Sequence, residues 1–254
     1  MLRENGFDAV GFDPAYSGEK PYVIVDYYSE KYSNLDADLI VLRHTLEHIQ
    51  EPLEFLHTIA NSAKFDAKIF IEVPSFEWIV KNRAFWDIFH EHCNYFTIQS
   101  LSNLFQDSEQ GLLFNDQYMY LMADLKNLRK QVVPSDKLSP DFKIYGMLDL
   151  YKSYKEFVCN HPGLVVWGAA AKGATFVNLT DPNREHITSL VDISPEKQGR
   201  YIARTGHRII SPVQIAGDGG DILVMNDNYY SEIDAQIKET GFKLYTLGEI
   251  NGFN

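Results

Sequence analysis

Cysteine is nearly absent: Cys93 and Cys159 are the only two in 254 residues. Two thiols are too few for a disulfide framework or a structural zinc site, so a reducing cytoplasm is the expected setting. No run of about eighteen or more apolar residues occurs, and no membrane-spanning helix is expected. The opening residues, MLRENGFDAVGFD, lack a signal-peptide pattern. Positive charge is in short supply, with Lys+Arg 23 against Asp+Glu 35 and a net charge of −12. That balance argues against a nucleic-acid backbone as the main partner, which needs clustered Lys and Arg. It leaves room for a small anion held by one or two buried basic groups. A G-x-G-x-x-G fingerprint is also missing.

What is present is an alternation of short apolar strands with helical patterns, which predicts a mostly parallel α/β architecture. Hydrophobic residues make up 45% of the chain, enough for one large domain or two small ones. Leu2–Asn5 reads as a helix tail stopped by Gly6, and Ala9–Phe12 as a strand ending at Asp13-Pro14. The chain thus opens either in the middle of an α/β unit or with a short first helix. Further strands are expected at Asp38–Leu42 and Lys68–Val73, and helices at Leu53–Ser62 and Ser100–Gln106. Val132–Pro140 reads as a connection. Phe142–Asn160 reads as a packing helix, with Tyr145, Leu148, Tyr151, Tyr154 and Phe157 as its apolar positions. A second block follows, with strands at Leu164–Trp167, Ile187–Val191, Ile222–Met225 and Lys243–Thr246. Helices are expected at Ala174–Leu179 and Tyr229–Thr240. The expected organisation is a first domain over 1–131, a linker and packing helix over 132–160, and a Rossmann-like domain over 161–254.

Three segments carry chemistry. VVWGAAAKGATFVN runs from a strand through glycine and alanines into a helix. Small residues let a ligand approach the backbone, and a helix N-terminus favours phosphate. Lys172 adds a positive charge, and Asp192 ends the next strand where a dinucleotide fold often holds a ribose. The P-loop order fails, because Lys172 precedes Gly173. The competing reading is tight strand–helix packing, with Asp192 capping the turn at Ser194-Pro195. The second segment, Arg43-His44-Thr45-Leu46-Glu47-His48, fits H-x-x-E-H, an inverted zinc-protease pattern that needs one continuous helix. Pro52, best placed in a first helical turn, puts these histidines at a strand-to-helix crossing instead, where an α/β site residue sits. The third is Phe89-His90-Glu91-His92-Cys93. A carboxylate beside an imidazole makes a general-base pair; a polar surface turn is the alternative. No clear metal-ligand set emerges.

Taken in order, VGFDP, LRHTLEHIQEPLEFL, IEVPSFEWIV, FHEHCNYFT, VVWGAAAKGATFVNL, VDISPEKQGRYIARTGHRIISP and NDNYYSEI resemble a known family. These are the SAM-dependent C-methyltransferases that alkylate the carbon next to the keto group of a nucleotide-linked 4-keto-deoxy sugar. The resemblance covers nearly the whole chain, and HEHxxYF and GAAAKG are its most specific parts. It implies a class I methyltransferase-like domain followed by a Rossmann-like domain, with the sugar nucleotide as substrate and SAM as cofactor. His92, the second histidine of H-E-H, becomes the base that removes the proton α to the ketone, with Glu91 and His90 beside it. Asp13, Arg43 and His44 fall to the cofactor. Gly168, Ala169, Lys172, Asn178 and Asp192 fall to the substrate.

The departures set further expectations. The family's cysteine-rich zinc domain, and the strand and glycine-rich loop that cradle SAM, have no counterpart in this sequence. Phe89 stands where the family has tyrosine, and QYMYLMADL where a Gly-Gly-Ser stretch is common. The first sheet is therefore expected to be incomplete. It should rearrange or take a strand from a second copy or a partner chain. A non-catalytic nucleotide-sugar-binding protein that has lost SAM binding is the alternative, and a metallohydrolase built on H-x-x-E-H a third reading.

Overall fold

The computed structural model describes residues 2–132, 146–215, 219–238 and 240–250. In chain order its strands are β1 (Gly11–Phe12), β2 (Val23–Ile24), β3 (Leu39–Arg43), β4 (Lys68–Pro74), β5 (Glu109–Leu113), β6 (Tyr118–Asp124), β7 (Leu164–Trp167), β8 (Ile187–Val191), β9 (Arg208–Ile210), β10 (Gly220–Val224) and β11 (Phe242–Thr246). Its α-helices are α1 (Pro52–Ser62), α2 (Phe76–Lys81), α3 (Ile98–Ser102), α4 (Gly146–Asn160), α5 (Ala171–Thr180), α6 (Tyr230–Ile237) and α7 (Leu247–Ile250). The fold is α/β: a part with a two-stranded and a mixed four-stranded sheet is followed by a second α/β domain on a five-stranded sheet. The chain divides into two compact units. Unit 1 comprises Met1–Ser75 and Cys93–Leu138; unit 2 comprises Phe76–His92 and Ser139–Asn254. The segment 76–92, which the sequence places in the first domain, is thus grouped with the second.

In unit 1, β1 and β2 pair with each other in parallel, and a separate four-stranded sheet runs in the order β3-β4-β6-β5. Among the described residues β3 is an edge, bonded to β4 alone. The core alternates as a pleated sheet must: Ile69, Ile71 and Val73 of β4 and Met119 and Leu121 of β6 are fully buried. Leu56 and Ile59, one turn apart on α1, join the same core. Each such side chain contributes roughly 1.5–3 kcal/mol by leaving water. Pro52 sits at the start of α1, where its missing N–H costs nothing.

The β5–β6 hairpin is not anticipated by the sequence reading. Its turn holds Phe114, Asn115 and Asp116 all at positive φ, a conformation that Asn and Asp tolerate better than most residues. Helix α3 also begins earlier than expected. Thr97 and Ser100 form a reciprocal capping box at its start, with serine where a box more often carries Glu or Gln.

Unit 2 is built on a five-stranded, all-parallel sheet in the order β11-β10-β7-β8-β9. All four residues of β7 are buried, as expected of a central strand covered on both faces. The packing helix α4 exists, but it presents a different face. Met147, Leu150, Tyr154 and Val158 are buried, while Leu148 is 61% exposed. The expected spacing of three residues throughout drifts about 60° around the helix per step, whereas the observed 3-4-4 spacing holds one face. The connection beyond Val132 lies outside the described residues, as does the start of the expected helix, 142–145.

Candidate functional site

In unit 1 the chain leaves the carboxyl end of β3 through Arg43–His48. Arg43 forks onto the buried Glu72 of β4, with Nε 2.9 Å from Oε2 and a terminal nitrogen 3.0 Å from Oε1. These bonds hold the Glu72 carboxyl below the usual carboxylate range against the opposing effect of burial, and they raise the Arg43 guanidinium. His44 turns through φ 48°, an αL conformation in a non-glycine residue. Its Nε2 lies 3.2 Å from Glu72 Oε1 and its Nδ1 3.5 Å from Glu47 Oε1. Its ring meets Tyr118 edge-on. Glu47 is 1% exposed, and its Oε2 is buried without a hydrogen-bond partner among the described residues. A buried carboxylate oxygen in this state costs on the order of 1–3 kcal/mol.

The same loop forms a three-residue 3-10 turn, Leu46–His48, rather than a helix. His44 and His48 therefore do not share the continuous helix that the inverted zinc-protease pattern needs. The turn is held from below: Cys93 and Asn94 donate backbone N–H groups to the Glu47 carbonyl, and Asn94 Nδ2 donates to the Ile49 carbonyl at 2.6 Å. Asp13 stands exposed just beyond β1, with its Oδ1 accepting the Ala15 N–H.

In unit 2, β7 delivers Gly168 at φ 121°. The Gly168 N–H donates to the Val191 carbonyl and the Ala169 N–H to Asp192 Oδ2. Gly173 packs so closely beneath this loop that a Cβ would stand 1.8 Å from the Gly168 carbonyl oxygen. No side chain caps the start of α5, where Ala170 occupies the capping position. Asp192 is buried, and its two oxygens take the N–H groups of Ala169 and Ser194 and the Lys197 ammonium at 3.0 Å. Lys172 Nζ lies 3.2 Å from Asp87 Oδ2. Asn178 keeps a buried Oδ1 without a hydrogen-bond partner among the described residues. His90 and Glu91 are exposed and His92 half-buried. The Phe89 ring stands edge-on to the His92 ring at 4.7 Å, and the His92 N–H donates to the Phe89 carbonyl.

Residues 1–109 match the model of a methyltransferase domain family, and residues 149–244 that of a C-methyltransferase C-terminal domain. These matches support a C-methyltransferase family for the chain. The C-methyltransferase NovU of Streptomyces niveus is similar to it, with 26% identity over 231 residues. That similarity covers 80% of this chain and 54% of NovU, so the chain spans about half the length of the curated relative it matches. No described helix is long and apolar enough to cross a membrane.

Sequence reasoning picks out the two strand-end loops of this C-methyltransferase-like chain and the H-E-H segment. It misses Glu72 and Asp87 as acidic partners that fix them, whereas Glu47 stands inside the H-x-x-E-H pattern itself. Two signals were present: a glutamate inside the apolar strand IFIEVP, and an aspartate among the aromatics of AFWDIF. It misses also the buried pair in unit 2 formed by Asp181 and His207, with Nε2 3.4 Å from Oδ2.

Proposed function

We propose that this chain takes part in SAM-dependent methylation of carbon, acting on a nucleotide-linked keto-deoxy sugar through base-assisted enolate formation. The observation that carries this reading is the tandem match, a methyltransferase domain followed by a C-methyltransferase C-terminal domain.

The residues present fit part of SAM. Asp13 offers an exposed carboxylate at the carboxyl end of β1, suited to ribose hydroxyls. Arg43 and His44 are committed to Glu72 and Glu47, so they shape the wall of the site more than they offer free donors. When bound, SAM supplies an electrophilic methyl group. On the substrate side, the first-turn N–H groups of α5 have no acceptor within the helix and no side-chain cap. They favour the diphosphate, beside Gly168 and Ala169. Asn178, two turns further along α5, and Asp192 are the other substrate-side candidates. Asp192 acts by closing the loop, since both its oxygens are engaged.

His92 removes the proton α to the ketone. A carbonyl acidifies that C–H, and a positioned imidazole contributes about 10²–10⁴-fold. Phe89 sets the ring's aspect without the hydroxyl that a tyrosine would offer to the enolate oxygen. Exposed Glu91 and His90 adjust the local field.

Incubation with SAM and a nucleoside-diphosphate 4-keto-deoxy sugar tests this, with methylated product read by mass spectrometry. Product that falls by about 10²-fold or more in His92→Ala supports it. Nucleotide binding without any methyl transfer contradicts it and favours a binding protein.

A further inference from the structure

We propose that Lys172 and Asp87 form a positioning pair that sets the place of His92, and that the role of Lys172 is this rather than contact with a phosphate. The inference rests on the reading of His92 as the base. All the parts involved lie in unit 2.

The segment carrying His92 is anchored at one end and open at the other. Ala84, Phe85, Trp86 and Asp87 are all buried, whereas Ile88, His90 and Glu91 are exposed. Phe85 contacts Tyr151, Tyr154 and Phe176, and Trp86 meets Tyr154 edge-on. These rings clamp the short turn Phe85–Asp87 onto α4 and α5. Apolar contact resists withdrawal but fixes direction weakly. The ion pair adds direction. Asp87 is 6% exposed, and the Lys172 side chain, 19% accessible, reaches it at 3.2 Å from the first turn of α5. The Trp78 ring lies 5.7 Å from the same ammonium.

A buried carboxylate is disturbed when an ammonium paired with it goes. His92 follows Asp87 by five positions, and two consecutive backbone turns shape this stretch: Ile88 N–H to the Phe85 carbonyl, and His92 N–H to the Phe89 carbonyl. A shift at Asp87 is therefore passed along a short, turned segment to the base. A misplacement of about 1 Å at a reacting group can cost about 10²-fold in rate.

The test compares Asp87→Asn, Lys172→Met, their double variant and Lys172→Arg in the full chain. The imidazole resonances of His92 are followed by NMR, and kcat and KM are measured for the nucleotide sugar. The expected result is a changed His92 resonance in both single variants, with the double no worse than either. Values of kcat should fall about 10–100-fold with KM within about twofold, and Lys172→Arg should recover much of the loss. The NMR arm needs no turnover, so it decides the pair even if the methyl-transfer reading fails. Asp181→Asn, which disturbs a buried network elsewhere in unit 2, should leave the His92 resonance in place. Folded Asp87→Asn and Lys172→Met proteins with an unmoved His92 signal would overturn the proposal. So would a KM raised by Lys172→Met but not by Asp87→Asn, which would make Lys172 a substrate ligand.

Discussion

The loops that follow β3 and β7 solve the same problem in opposite ways. Both leave the carboxyl end of a parallel strand, the place where α/β folds put ligands. After β7 the backbone turns through glycine, Gly173 admits the close approach, and Asp192 closes the loop with every oxygen engaged. After β3 the turn is made by His44 at positive φ, and Glu47 is left with an unsatisfied buried oxygen. Strain and unmet polar groups gather where function does. Under the proposed function, the loop after β3 belongs to the cofactor side and the loop after β7 is the rigid holder of the nucleotide.

The sharpest way to break this contrast is Gly173→Ala. A Cβ set 1.8 Å from a backbone oxygen should cost unit 2 about 3 kcal/mol or more. All three tryptophans, Trp78, Trp86 and Trp167, lie in unit 2. Urea unfolding followed by tryptophan fluorescence thus reports that unit by itself. A transition unmoved by the substitution would mean that the loop is not closed as described. Next in size is Glu72→Leu. It frees Arg43 and His44 and should cost roughly 1–2 kcal/mol, discounted because the arginine is half exposed. Circular dichroism during urea unfolding checks this, with the tryptophan transition as an unaffected internal reference.

Mild acid should weaken unit 2 through its buried pair. Burial pushes His207 below its ordinary 6.5, outweighing the nearby Asp181. Burial raises Asp181, but the N–H groups of Ile187, Glu185 and His186 and the His207 bond outweigh it and hold the carboxyl below its ordinary 3.8. Both groups bind protons more readily when unfolded, so both contribute stability that is lost as pH falls. The His207 share fades below pH 6.5 and the Asp181 share below 3.8. His207→Gln should flatten the tryptophan-detected loss in the upper window and leave the lower one. An unchanged slope would show that the pair does not govern acid stability. The smallest expected effect is that of His44→Gly. Relief of the αL strain should offset the lost ring contacts, leaving stability within about 1 kcal/mol while SAM binding weakens. A large loss of stability would place His44 in the fold's framework instead.

How much of this was legible depends on the kind of signal. Leu164–Trp167 matches its strand because a buried parallel strand reads as an unbroken apolar run. Gly6 and Pro52 mark helix ends by backbone restrictions that single residues impose. The β5–β6 hairpin was hidden, since Phe114–Asp116 turns without glycine. The aromatic residues of α4 recur at a spacing of three and mask the buried face that Met147 and Val158 share with Leu150 and Tyr154. The site residues were legible as clusters. Their partners Glu72 and Asp87 were not, because ion pairs across 29 or 85 positions, as for Arg43–Glu72 and Asp87–Lys172, leave no mark in local spacing.

The central claim is that the unit 1 site takes the cofactor and the β7 loop takes the nucleotide. Isothermal titration tests it most directly, with SAM and a pyrimidine nucleoside diphosphate titrated separately into the chain and its Asp13→Asn and Gly168→Ala variants. The account predicts heats for both ligands in the parent, with SAM binding lost only in Asp13→Asn and nucleotide binding weakened only in Gly168→Ala. Absence of any SAM heat in the parent, or loss of both ligands through one variant, would contradict it.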